Sequence, residues 1–127
     1  MCWPPHGPKH KKVEDFKGVV DGGGYKASMD SPKTPLELIS PEFLTAIADV
    51  LQHGKMKYAA NNWMRGMSYV CVFGSILRHL FAWAIGDQLD RDSNLPHLHH
   101  AACGLMFLIY FTTTGSYEKF DDRVFNR

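Results

Sequence analysis

The apolar residues of this chain fall into three separated runs at helical spacing, and nowhere do they alternate with the period of two that marks a strand. The first run opens with Ser40 and Pro41, a side-chain cap followed by a residue whose fixed backbone suits the first helical position. Glu42 sets a negative charge near the positive end of the helix dipole. Phe43, Leu44, Ile47, Val50 and Leu51 share one face, and Gly54 is the expected stop. The second run predicts a helix from about Tyr69 to Ile85, with Val72, Phe73, Ile76, Leu77, Leu80, Phe81 and Ala84 as its buried stripe and Gly86 closing it. A third helix is expected to start near Pro96 and to run through Leu98, Ala101, Ala102, Leu105, Leu108 and Ile109 to about Thr113.

The remaining segments read as connections. Residues 55–68 mix cations, amides and aromatics and predict a loop or short helical turn ended by Gly66. Residues 1–35 are rich in Pro, Gly, Lys and His, and Gly22–Gly24 breaks any periodic element there. That stretch is expected to form an extended or partly disordered arm, leaving 36–127 as the helical domain. The polar tail from Ser116, punctuated by aromatics, is expected to pack as a strap. The fold class that follows is all-α. Three helices with one apolar on most sides cannot cover all their own faces, so a small bundle completed by homo-oligomerisation is expected.

Composition narrows the function classes. A chain of 127 residues with 45% hydrophobic content supports one domain with a core. A net charge of +1 gives no broad basic field, so no nucleic-acid partner is expected. The most apolar stretch, residues 101–111, is too short to span a membrane, and the N-terminus shows no apolar leader. A cytoplasmic location is therefore expected. Cys2, Cys71 and Cys103 have no metal-type spacing and form no even disulfide set, which predicts small buried hydrophobes in a reducing compartment.

The chemistry concentrates in residues 78–100, RHLFAWAIGDQLDRDSNLPHLHH. Burying so many polar groups is costly unless metal, charge or hydrogen bonds compensate. His97 and His100 are three apart and share a helical face, a workable metal pair that His79 could join from an antiparallel neighbour. Asp87, Asp90 and Asp92 crowd into the intervening turn, and like charges there require a cation, magnesium being the hard-oxygen candidate. A calcium loop is disfavoured, because Asp90-x-Asp92-x-Asn94 lacks the following glycine and the distal glutamate. A solvated polar turn beside hydrogen-bonded histidines is the plainer alternative. Lys55, Lys57, Tyr58, Asn61, Asn62, Trp63 and Arg65 supply phosphate-neutralising cations, amides and stacking faces, and Lys33 could add charge from the arm. Arg78, inside an apolar helix, must either pair with an aspartate or clamp a phosphate.

These pieces together resemble the phage-associated dATP/dGTP diphosphohydrolase N-terminal-domain family, which has affinities to the all-α, MazG-like nucleotide pyrophosphohydrolases. The segments that carry the likeness are PKTPLELISPEFL, DVLQHGKMKYAANNW, RHLFAWAIGDQLDRDSNLPHLHHAACGLMFL and the terminal DDR, in order over most of residues 32–123. Against the family pattern, this chain has Asp87 and Asp92 where Glu is usual, Asn94 where Gly is usual and Gly104 where Asn is usual. The resemblance implies a helical oligomer that uses magnesium, or manganese, to hydrolyse a deoxynucleoside triphosphate to monophosphate and pyrophosphate, in a host cell's cytoplasm if the chain is phage-encoded. It implies Asp87, Asp90 and Asp92 as metal ligands, His79, His97 and His100 as the groups that position metal, water or phosphate, and His79, Asp87 and His100 as the catalytic set. It further implies Lys33, Lys57, Arg78 and His97 at the phosphates, with Tyr58, Asn62 and Trp63 as the nucleotide-facing wall. The alternatives are a binding protein that sequesters a nucleotide, such as a host-defence signal, and a helical oligomer whose polar cluster only sets interface specificity.

Overall fold

The structure is a computed structural model that describes residues 22–24 and 33–124. Among these, the chain is all-α: α1 (Pro41–Lys57), α2 (Tyr69–Ala84) and α3 (His97–Thr114), with short 3-10 turns at Leu36–Leu38, Asn62–Arg65 and Glu118–Phe120. The chain divides into two compact units, residues 1–38 and 39–127. The first holds the Leu36–Leu38 turn, in which Leu36 and Leu38 are exposed. Most of the expected N-terminal arm lies outside the described residues. The second unit holds the three α-helices.

The starts of α1 and α2 are each fixed by a serine side-chain cap, whereas α3 begins after Pro96 without one. The Ser40 hydroxyl accepts from the Phe43 amide at 3.2 Å, and Pro41 follows at the first helical position. Ser68 does the same for α2 through the Cys71 amide at 3.1 Å. α1 does not stop at Gly54 but runs one further turn to Lys57, with Tyr58 N–H donating to the Gly54 carbonyl at 2.7 Å. Glycine inside a helix costs only about 1 kcal/mol relative to alanine. The added turn sets Lys55 and Lys57 at the negative end of the helix dipole.

α3 is the central element, packed against both α1 and α2. Val72, Ile76 and Ala101 form the core where α2 meets α3, with Met67, Phe107 and Leu108 against them. The close approach depends on Gly104: a Cβ there would lie 2.6 Å from Ile76 Cγ1. Toward its C-terminal end α3 buries Phe111, which stacks on Tyr69 with ring centroids 5.9 Å apart. The expected stripes are only half right. Val72 and Ile76 are buried, whereas Phe73 and Phe81 are 53% and 67% exposed, and on α3 Leu105 and Ile109 face outward. The buried face of α3 runs instead through His97, Ala101 and Phe111, with Cys103 beside it, because the partners of α3 lie on the side where His97 points. Of the cysteines expected to be buried, Cys103 is and Cys71 is exposed, while Cys2 lies outside the described residues.

The tail does pack as a strap. Tyr117 donates its hydroxyl to the Met64 carbonyl at 2.7 Å, and the Phe120 ring fills the space over Gly66, whose φ of 95° and missing side chain the site requires. Asp122 caps α2 from outside, accepting from Ser68 Oγ at 2.5 Å and the Val70 amide at 3.0 Å. Those two bonds hold its carboxyl below the usual carboxylate range. Arg123 pairs with Asp121 at 2.7 Å and lies over the Tyr69 ring. The DDR motif is thus a clasp that ties the tail to the start of α2.

Candidate functional site

The antiparallel arrangement of α2 and α3 brings His79 against the first turn of α3. His79 Nδ1 and His97 Nδ1 are 2.9 Å apart, and the His79 ring stacks on His100 with centroids 4.7 Å apart. At that separation one ring nitrogen must carry the proton and the other accept it. Burial, the strongest influence on each, pushes His79 and His100 below the usual imidazole value, the attraction of Asp90 notwithstanding; mutual repulsion among the rings adds to the shift. Both are therefore neutral imidazoles at neutral pH, the form that accepts a proton or binds a metal.

The turn between the helices is built to present Asp90. Gly86 and Asn94 take positive φ, 92° and 60°, a region open to glycine and tolerated by asparagine. The Asp90 amide donates to the Leu95 carbonyl and the Asn94 amide returns to the Asp90 carbonyl, each at 2.8 Å, while His97 N–H donates to the Gln88 carbonyl at 3.0 Å. Asp90 Oδ2 accepts from the Ser93 amide at 2.9 Å, the Asp92 amide at 3.1 Å and the Ser93 hydroxyl at 3.2 Å. Partial burial opposes ionisation of Asp90, but the Ser93 bonds, nearby His100 and the Asp92 amide outweigh it and hold the carboxyl below its usual range. Ser93 Oγ also lies 2.6 Å from His100 Nε2, so serine links the carboxylate to that ring.

The aspartates go separate ways. Asp90 groups with His79 and His97: one donor atom from each lies within 4.8 Å of the others, the one such cluster among the described residues. Asp87 Oδ2 lies 3.3 Å from His97 Nε2, too poorly aligned for a hydrogen bond, and that buried nitrogen has no hydrogen-bond partner among the described residues. Asp92 turns toward α1, where Lys57 Nζ is 3.0 Å and His53 Nε2 3.4 Å away. Those two hydrogen bonds hold the Asp92 carboxyl below its usual range, and Asp92 in turn raises Lys57.

Beside this cluster opens a cavity of about 580 Å³, within the span of ordinary small-molecule pockets of about 300–1,000 Å³. Lys57, Tyr58, Asn62, Trp63, Asp92 and His100 all line it, as does His53. His100 and Asp92 are the points at which the imidazole cluster borders the cavity. Trp63 has one side committed: it stacks on Phe107 at 4.8 Å and meets Tyr110 edge-on at 5.0 Å. Arg78 is exposed on α2 and is not among the residues that line the cavity. Lys33 belongs to the other compact unit. Sequence reasoning missed His53 and Ser93. His53 and Lys57 are four apart on α1, a shared-face spacing that signals the pair once Asp92 is known to lie opposite.

No described helix is long and apolar enough to cross a membrane. No solved structure matches the chain. A curated relative, a dATP/dGTP diphosphohydrolase of Salmonella phage PMBT28, is 36% identical over 81 residues, covering 64% of this chain and 28% of the relative. The chain thus spans only part of that relative's length. The family model described as dATP/dGTP diphosphohydrolase, N-terminal, matches residues 23–123, which take in both the cavity and the imidazole cluster, and the chain belongs to that family.

Proposed function

We propose that the chain is a divalent-cation-dependent hydrolase that splits purine deoxynucleoside triphosphates into monophosphate and pyrophosphate, in phage nucleotide metabolism within a host cytoplasm. The observation that carries this reading is the shared border. His100 belongs both to the imidazole cluster and to the wall of a nucleotide-sized cavity that also holds Lys57, Asn62, Tyr58 and Trp63. The name of the phage relative, a dATP/dGTP diphosphohydrolase, supports the same substrate class.

In this reading Tyr58, Asn62 and the free side of Trp63 hold the nucleoside, and Lys57 meets the phosphates. Lys57 and His53 are held by Asp92 in the free protein, so substrate phosphate replaces a carboxylate that already marks where an anion sits. A cation at the His79–Asp90–His97 cluster, magnesium or manganese, would neutralise triphosphate charge and acidify bound water. His100, neutral and tied through Ser93 to Asp90, orients water at the cavity edge and takes its proton. Asp87, 3.3 Å from His97 Nε2, is placed to steady that ring once the ring turns to donate to it. The apolar stripe left open on α2 and α3, with Phe73, Phe81, Leu105 and Ile109 exposed, supports a second copy of the chain as the partner that covers it.

Calorimetric titration of dATP and dGTP tests the assignment. The wild type is expected to bind, and Lys57→Ala to lose roughly tenfold or more in affinity, as loss of a charge-assisted contact does. Unchanged affinity in Lys57→Ala moves the phosphates, and with them the site, elsewhere.

A further inference from the structure

Resting on the cation-dependent reading above, we propose that the His79–Asp90–His97 group selects a six-coordinate transition-metal dication, of the manganese, iron or cobalt kind, over magnesium. The donor set is the first argument. Two of its three donors are imidazole nitrogens, and magnesium takes oxygen ligands almost to the exclusion of others. Two histidines and one carboxylate, with the remaining positions open, suit first-row transition ions. The aspartates that could have supplied an all-oxygen site are engaged elsewhere, Asp87 beside His97 and Asp92 on Lys57 and His53.

The spacing is the second argument. The proton held between His79 Nδ1 and His97 Nδ1 in the free protein must leave to solvent when an ion binds; with metal–nitrogen bonds of about 2.1 Å, those nitrogens, 2.9 Å apart, would then subtend roughly 87°, close to the right angle of a neighbouring pair on an octahedral ion. A tetrahedral ion such as structural zinc needs them about 3.4 Å apart. The third argument is burial. His97 is only 7% exposed, and its Nε2 is buried with no hydrogen-bond partner among the described residues. Asp87 Oδ2 sits 3.3 Å from that nitrogen without a hydrogen bond, close enough that a small turn of the ring on binding an ion would make the carboxylate–histidine pair that leaves the other nitrogen to the metal. The three donors come from α2, from the turn and from the first residue of α3. The turn and α3 positions are held by their own backbone bonds, so little ordering is left for the ion to impose.

The test uses the full chain stripped of metal. Manganese titration followed by electron paramagnetic resonance should give one tight site per chain that a large excess of magnesium fails to empty. Cobalt should give the weak visible bands of six-coordination. Manganese affinity should fall roughly tenfold or more in His79→Gln and in Asp90→Asn and stay unchanged in Glu42→Gln, an exposed position in the first turn of α1, with circular dichroism confirming that each variant is folded. Asp90→Asn keeps an oxygen for the turn and so guards against a folding artefact. The proposal is overturned if both variants bind manganese as the wild type does, if magnesium displaces manganese at equal concentration, or if cobalt shows the intense bands of a four-coordinate ion. Manganese held at these residues by a protein that binds no nucleotide would leave this inference standing and sink the hydrolase reading. Magnesium-driven turnover that survives His79→Gln would do the reverse.

Discussion

Gly104→Ala is the sharpest probe of how the site is held together. The added methyl would stand 2.6 Å from Ile76 Cγ1 and 3.1 Å from Ile76 Cδ1, whereas carbon atoms rest at about 3.5–4.0 Å. Ile76 is 4% exposed and β-branched within a helix, so it has almost no alternative rotamer and α2 and α3 must move apart. Overpacking of this kind costs about 1–3 kcal/mol, and a contact this short belongs at the upper end. Alanine's better helix propensity returns about 1 kcal/mol, leaving a net loss of roughly 1–2 kcal/mol. That corresponds to a fall in Tm of roughly 5–15 °C for a domain this small. Ile76→Ala alone should cost about 2–5 kcal/mol. In that background the clash is gone, so Gly104→Ala should stabilise by about 1 kcal/mol instead of destabilising. Urea denaturation of the four proteins, followed by far-UV circular dichroism, reads the sign directly. If Gly104→Ala changes stability in the same direction in both backgrounds, the helices do not meet as described. Because Ile76 lies one turn from His79, a forced separation here should also weaken manganese binding.

Three further outcomes are expected. His79 and His100 have folded pKa values below the ordinary 6.5, so between those values and 6.5 the unfolded chain binds more protons; stability contributed by the neutral rings is full above that window and lost as pH falls through it. Urea midpoints should thus decline from neutral pH to about pH 5.5, and a midpoint that rises on acidification refutes the burial of these rings. The Cys103 thiol is pushed up to about 12 by burial, so iodoacetamide should label Cys71 and spare Cys103 until the protein is denatured; early labelling of Cys103 contradicts the packing of α3. Phe73→Glu with Phe81→Glu should lower the mass measured by light scattering to that of one chain, and a wild type already at that mass removes the oligomer from the account.

How much of this was legible beforehand depended on whether the deciding forces were local. The starts of α1 and α3 could be read because Ser40, Pro41 and Pro96 act within one turn. The end of α1 could not. Gly54 reads as a stop, but Lys57 sits 3.0 Å from Asp92, a partner 35 positions away that no local rule foresees. The stripes were half legible for the same reason: helical spacing names an apolar face, and only the placement of α3 between its neighbours decides which half of it is buried. At the site, the convergence of His79, His97 and His100 followed from antiparallel helices. The dispersal of Asp87, Asp90 and Asp92 did not, because their partners lie in different places: His97 on α3 for Asp87, the turn's own Ser93 for Asp90, and His53 and Lys57 on α1 for Asp92.

Joint action of the imidazole cluster and the adjoining cavity on a triphosphate underlies the proposed hydrolysis. It is tested most directly by incubating the metal-loaded protein with dATP or dGTP and resolving the products by phosphorus NMR. The nucleoside monophosphate and pyrophosphate are expected in equal amounts, with turnover lost in Asp90→Asn and His100→Gln. Orthophosphate or inorganic triphosphate as the product, or nucleotide bound but returned unchanged, would contradict it.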